Sequence, residues 1–560
     1  MVSLSLDTGS DAVADGAKVL TADAFGARYI SYNSVNRFLD QIDDMEIGHI
    51  VWPGGTLAET REDRFGFEYE GLYDPATNKP DLSEMMGIAR AEGVGLTVVL
   101  PTARYEGDVA SFEADLNVFL EDLLSGEFGT LPNELVLEVG SEYYAHFEGA
   151  NAATSYAELA DAAVTEIALA LVDSSINTLG ADVEIAVQMG RTSSEDAEIR
   201  DGLSDFSLSN VDSVIHHRFA FLPDGIDGRV AEIDARVDRW VEDVEAAGGD
   251  APALNVSAWN VATQTRAEVL QDFLAENPGL TADDVDLDGR TTVAFERYWQ
   301  DALDDAAYGA EHPGYILEAF HSYAEIGMED ASVYGIDLVH PGRLSVLGED
   351  GKDYVFAGGD MLEMLYESVD DTEALEGRAF NKNAAVMPYA FENEDKLIVF
   401  LAAGDTNPGT VDLNMEGIGT EYLSVWGDSL QAEIDPDWME TFGIPDTPGV
   451  DETNEAWTYA EGVRDGTNVT EIDGGVSVTF EKPHEVIRLA FAKTDAGANE
   501  ISKFSDGSEV QLDLPPVTDP PPDPEPEDDP DLDDAGDDDG GGGGAGFAIA
   551  GLLPFLLLLV

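Results

Sequence analysis

The stretch Leu135-Val-Leu-Glu-Val-Gly-Ser-Glu-Tyr-Tyr144 decides how the chain reads. Apolar and β-branched positions run into Gly140, and a lone carboxylate, Glu142, follows where a buried strand should end. In a closed barrel of parallel strands that end is the catalytic face, because side chains from several strands converge there while the rest of each strand is committed to packing. Glu142 is therefore the candidate general acid. Glu138, on the strand itself, is expected to point into the barrel layers or to pair with a base there.

Similar apolar runs, bounded by glycine, proline or polar residues and mostly followed by helical periodicity, lie on both sides. They are Ala27 to Tyr32, His49 to Trp52, Leu96 to Leu100, Val183 to Met189, Val211 to His217, Leu254 to Trp259 and Ala331 to Ile336. With Leu135 to Val139 they make eight, the number that closes a (β/α)8 TIM barrel, an α/β fold expected over residues 21–375. Over residues 376–495 the texture changes to strands separated by turn residues, the pattern of an antiparallel β-sandwich. Residues 1–20 contain an alternating run, Val2 to Leu6, expected to join that sandwich.

Residues 496–544 form an acidic Pro/Asp/Gly-rich linker, whose core from Pro515 to Asp539 has too little apolar surface to fold. The tail 545–560 is apolar and uncharged, short for a membrane-spanning helix and interrupted by Pro554. A surface anchor, a C-terminal export or sorting signal, and a tail trimmed or buried by a partner are the open readings. A tether of this kind favours an extracellular or cell-surface location. Met1 to Ser10 shows neither a basic n-region nor an apolar h-region.

Across 560 residues, 115 acidic side chains stand against 27 basic ones, a formal charge of −88. Such a surface repels phosphate backbones, so nucleic acid is excluded as a partner. It suits either a salty milieu or a calcium-rich exterior. Cysteine is absent, which removes disulfides and thiolate metal sites.

Between the seventh and eighth strands lies Asp284-Val-Asp286-Leu-Asp288-Gly289-Arg290, followed by Glu296. Alternating carboxylates, a glycine for the sharp turn and the Arg290 carbonyl are what a structural Ca²⁺ requires, although Phe295 holds the twelfth position and Glu296 comes one residue late. A plain acidic helix-capping loop is the competing reading.

Three motifs carry a family resemblance. Trp52-Pro-Gly-Gly-Thr56, Val139-Gly-Ser-Glu-Tyr143 and Asn255-Val-Ser-Ala-Trp-Asn-Val261 resemble, in order and spacing, segments of the clan A (β/α)8 glycoside hydrolases. That clan includes xylosidase, arabinofuranosidase and heparanase-like glucuronidase families and sets a β-sandwich beside the barrel. The resemblance implies Glu142 as acid/base and oligo- or polysaccharide as the partner. It also exposes three departures: Ala258 at the nucleophile position, Val51 in place of the strand-two arginine, and Ser141 in place of the asparagine that holds a sugar 2-hydroxyl.

Trp52, Tyr105, Ser141, Tyr143, His216, His217, Trp259 and Tyr334 are expected to line the sugar cleft, with core or rim packing the competing reading for about half of them. His216 and His217 are adjacent on a strand and cannot face the same way, which disfavours a two-histidine metal site. Two readings follow. One is a hydrolase in which Glu142 works with an unrecognised second group. The other is a non-catalytic carbohydrate-binding or calcium-braced surface protein.

Overall fold

The computed structural model describes residues 2–6, 13–29, 47–54, 80–147, 151–220, 226–261, 266–285, 292–295, 308–336, 344–347, 353–376, 385–415, 422–435, 459–504 and 508–511. Residues 15, 335 and 405 are excepted, and 35, 36, 38, 39, 45, 58, 59, 297 and 298 are added. The core of the expected linker and the apolar tail lie outside the described residues, as do Asp286, Asp288, Arg290 and Glu296. Among the described residues, no helix is long and apolar enough to cross a membrane.

After β1 (Val2–Leu6) come eight parallel strands: β2 (Gly26–Arg28), β3 (His49–Trp52), β4 (Gly95–Leu100), β5 (Leu135–Val139), β6 (Glu184–Gln188), β7 (Ser213–Ala220), β8 (Ala253–Val261) and β9 (Met328–Val333). They pair in chain order, and β9 returns to β2, closing the barrel. Strand β5 is buried along its whole length, as a parallel strand covered on both faces should be. Its odd positions Leu135, Leu137 and Val139 pack in the main core, where helices such as α1 (Val109–Ser125) and α2 (Ala152–Val172) cover the barrel. Its even positions turn inward, and Val136 meets Ala186 and Ile215 there. The last strand begins three residues earlier than its sequence pattern suggests, at Met328.

Beyond the barrel, helix α3 (Ala357–Val369) leads into two sheets. The larger takes the order β12 (Glu373–Ala374), β13 (Val386–Glu392), β14 (Lys396–Ala403), β20 (Val486–Ala492), β16 (Ser424–Asp435), β17 (Tyr459–Gly466), with β21 (Ser508–Gln511) also on β16. The smaller is β1, β15 (Thr410–Met415), β19 (Gly475–Thr479), β18 (Thr470–Ile472), with β1 parallel to β15. A separate hairpin of β10 (Ser345–Leu347) and β11 (Asp353–Val355) precedes α3.

Strand β14 shows how one strand serves two cores. Leu397, Val399 and Leu401 fill the sandwich with Leu4, Leu413 and Val476, while Ile398, Phe400 and Ala402 join the barrel-side core. The expected linker therefore begins later than position 496: Asp495–Ile501 is a helix and β21 completes the sheet. Its acidic, glycine-containing sequence hides this, because the energy comes from β16 across the ladder and from Ile501 and Phe504 in the core.

Two arginines, Arg488 buried and Arg464 partly buried, fasten the sandwich to the barrel side. Arg488 on β20 donates to both Asp428 oxygens, at 3.0 and 2.7 Å, and to the Met364 carbonyl of α3 at 3.0 Å. It also lies over the rings of Trp426 and Phe504. Arg464 also reaches Asp428, at the Oδ2 that Arg488 holds, and Glu363 and Glu367 on α3. Removing one member of a buried pair strands the other's charge. Arg488→Ala should therefore cost on the order of 3–5 kcal/mol, read as a lower denaturation midpoint. An unchanged midpoint would mean that Arg464 alone satisfies Asp428.

Candidate functional site

The C-terminal end of the barrel collects charged and polar side chains from β2, β5, β6, β7 and β8. At the end of β5 the chain turns sharply: Gly140 has φ 74° and Glu142, a non-glycine residue, φ 49° and ψ 49°. A Cβ on residue 140 would meet Thr102 Oγ1 at 2.6 Å, so only glycine permits this close passage. The left-handed backbone at Glu142 is strained for its residue type, and such strain persists where surroundings hold it. They do so through Glu59, a buried carboxylate that accepts from the backbone N–H groups of Ser141 (2.8 Å), Thr102 and Ala103 (both 2.7 Å) and from the Thr102 hydroxyl (3.0 Å).

Glu142 is the carboxylate of this cluster that reaches solvent, with its side chain 31% exposed. Its Oε1 lies 3.3 Å from His217 Nδ1, and Tyr144 lies beside it. The other ring nitrogen, His217 Nε2, is 2.8 Å from Ser257 Oγ. Below these, Arg28 donates to the Ser257 carbonyl (2.9 Å), the Ser257 hydroxyl (3.1 Å) and the Ser141 hydroxyl (3.1 Å). Its guanidinium is also 3.4 Å from Glu138, which accepts from Gln188 at 3.0 Å. Glu138 is fully buried, as its inward position implies, and its oxygens are occupied by Arg28, Gln188 and His217.

Ala258 stands opposite His217 in the β7–β8 register, next to Ser257. Ala258 and Glu142 thus lie toward the same end of the ring, with His217 on a strand between theirs. Val51 packs with Ala58 and Val99. The buried arginine of this layer is instead its register neighbour on the preceding strand, Arg28.

The expected cleft residues divide. Ser141 and His217 belong to the cluster. His216, on the opposite strand face, does not. Trp52, Tyr143 and Trp259 are buried in the core and present no face to a sugar: Tyr143 stacks on Tyr156 at 4.8 Å, and Trp259 packs on Phe320 at 6.2 Å. Tyr105 is likewise buried against Phe112, its hydroxyl bonded to Asp115 at 2.9 Å. Tyr334 follows β9 and is half-buried, its backbone N–H bonded to the Trp259 carbonyl. Large aromatic rings gain most from full burial, which is why these were drawn inward. Asp284 caps a helical turn by accepting from Thr281 N–H and hydroxyl at 2.9 and 2.8 Å. Sequence reasoning passed over Arg28, Gln188, Ser257 and Glu59. An arginine amid the apolar residues Ala27 and Tyr29 was the available signal for the first.

Burial alone would raise the Glu142 carboxyl, but the hydrogen bond and charge of His217, with Arg28 behind it, lower it to about 2. Burial likewise opposes the imidazolium of His217, and its bonds to Glu138 and Glu142 outweigh this and raise it. The pair thus favours a carboxylate facing an imidazolium in the weakly acidic range. The depressed Glu142 contributes stability above its ordinary value of 4.5 that is lost as pH falls toward about 2. The raised His217 contributes stability below 6.5 that is lost as pH climbs through its folded value. The melting-temperature gap between wild type and His217→Gln should therefore be widest between about pH 4.5 and 6.5 and narrow on both sides. A gap independent of pH would exclude the ion pair.

No protein-family model matches the sequence, and no curated protein matches it. Among solved structures, the chain is similar to a family 51 α-L-arabinofuranosidase from Bifidobacterium longum, at 13% identity and a TM-score of 0.56, over 87% of this chain and 99% of the other. Weaker likenesses include a monomeric β-xylosidase from Caulobacter crescentus (12% identity, TM-score 0.49, covering 88% and 99%) and a 4-O-α-L-rhamnosyl-β-D-glucuronidase from Fusarium oxysporum (10%, 0.48, 87% and 100%). At such identities the likeness speaks for architecture. The closed parallel barrel, the antiparallel sandwich and the likeness to the arabinofuranosidase together establish a (β/α)8 barrel with an accompanying β-sandwich, the architecture of that enzyme.

Proposed function

We propose that this is a glycoside-hydrolase-like protein that binds oligo- or polysaccharide at the C-terminal end of its barrel, with ordinary retaining hydrolysis lost. One observation carries the reading: the groups beside Glu142 are basic, His217 at 3.3 Å with Arg28 behind it. Retaining hydrolysis uses two carboxyl groups roughly 5–5.5 Å apart, one attacking and the other donating a proton. A negative neighbour keeps such a donor protonated near neutral pH. Here position 258 contributes a methyl group, and His217 and Arg28 hold Glu142 ionised. Glu138 is too deep and too fully bonded to attack an anomeric carbon. A carboxylate, a phenol, an imidazole and hydroxyls around one opening remain well suited to sugar hydroxyls.

The surface charge of −88 and the acidic spacer before an apolar tail support an extracellular or cell-surface setting, with residues 545–560 as an attachment. The Asp284 to Glu296 loop is retained in this reading as a structural Ca²⁺ site. Addition of Ca²⁺ should raise the melting temperature of wild type and not of Asp286→Asn/Asp288→Asn; equal responses would remove the ion from this loop.

The wild-type protein should bind one of a panel of arabinan, xylan and glucuronoxylan fragments in calorimetry. It should leave aryl glycosides intact in plain buffer. Azide or formate should fill the space at Ala258 and restore slow cleavage, and Ala258→Glu should restore more. Rapid unassisted cleavage that Glu142→Gln abolishes would reinstate an active hydrolase with a different second group. Absence of binding across the panel would leave neither reading standing.

A further inference from the structure

At the opposite, N-terminal end of the barrel, three ligand-type side chains from three strand beginnings face one another. His49 opens β3, Asp23 lies in the helical turn Ala22–Ala24 just before β2, and Glu134 immediately precedes β5. His49 is fully buried, and its Nε2 lies 2.7 Å from Thr97 Oγ1. Its Nδ1 is fully buried without a hydrogen-bond partner and is aimed between the Asp23 and Glu134 carboxylates, at 3.8 and 3.9 Å. These distances are too long for hydrogen bonds. A metal bound at about 2.0–2.2 Å separates its ligand atoms by roughly 3–4 Å. One oxygen or nitrogen from each of the three side chains lies within 4.8 Å of the others.

Two further features fit. An Nε2–H directed at a threonine oxygen leaves the Nδ1 lone pair for a metal, the usual way an outer partner sets the tautomer of a ligating histidine. Gly95, the register partner of His49, leaves open the space beside that nitrogen: a Cβ there would sit 2.4 Å from Nδ1 and 3.4 Å from Asp23 Oδ1. Gly95 is absent from the positive-φ glycines, so space rather than backbone conformation accounts for it. Among the described residues, His49 is the one basic side chain within ion-pair distance of either carboxylate, and Asp330 lies near it. The half-exposed carboxylates give an ion a path from solvent.

We propose that Asp23, His49 and Glu134 bind a divalent cation of the zinc class, which ties together the beginnings of three barrel strands. One imidazole nitrogen with two carboxylates suits Zn²⁺ or Mn²⁺ better than Ca²⁺, which prefers an all-oxygen set. The site lies at the end of the barrel where features serve stability, so its role is structural.

The test is zinc binding by the full chain, stripped with EDTA and dialysed in molar KCl so that diffuse attraction to the acidic surface is screened. One Zn²⁺ per chain is expected, with a melting temperature raised by a few degrees and a visible absorption on Co²⁺ substitution that Zn²⁺ displaces. Asp23→Asn/Glu134→Gln, isosteric at half-exposed positions, should weaken Zn²⁺ binding at least a hundredfold. Should that variant fail to fold, the Co²⁺ spectrum of wild type decides: no imidazole-ligated band overturns the site. No stoichiometric binding by wild type, or equal binding by a folded variant, also overturns it.

Discussion

A guanidinium buried at the centre of the barrel mouth is the constraint around which the upper layer is built. Arg28 is 1% exposed, and leaving such a charge without partners would cost several kcal/mol. Its partners come from β5, β8 and the turn after β5: Glu138, the hydroxyl and carbonyl of Ser257, and Ser141. Each of those contacts is possible only if the strands close into a ring, so the charge specifies closure as well as profiting from it. His217 rests on the same network and carries its influence outward to Glu142.

This arrangement reverses the electrostatics that a pair of catalytic carboxylates would create. With two anions side by side, one proton is retained; with an anion beside an imidazolium and a guanidinium, it is released. The low Glu142 carboxyl follows from that setting, with His217 and Arg28 favouring its ionisation against the cost of burial.

The sandwich follows another rule. Its large sheet is apolar on both faces because one covers the smaller sheet and the other covers barrel helices. That sheet has no wet face along β14, which explains a strand with neither polar alternation nor helical period. Where charges do enter this interface, at Arg488, Asp428 and Arg464, they are grouped, each satisfying the next.

How much of this was legible beforehand varied with the range of the interaction. Eight strands in order, the sandwich after them and Glu142 at a strand end could be read from local periodicity, because burying a parallel strand demands a continuous apolar run and its end needs a turn such as Gly140. Which side chains meet could not. Arg28 and Ser257 lie 229 positions apart and touch only through closure. The orientation of Trp259 depends on a register shift between Val256 and Trp259 that no local pattern announces. Trp52 and Tyr143 looked equally suited to a cleft or a core until neighbouring helices supplied surfaces to bury them. The sequence by itself determined the succession of elements and the carboxylate at the barrel mouth, since these depend on neighbours along the chain. Only the tertiary structure decided what surrounds that carboxylate, because the imidazole and guanidinium that favour its ionised form are brought from other strands.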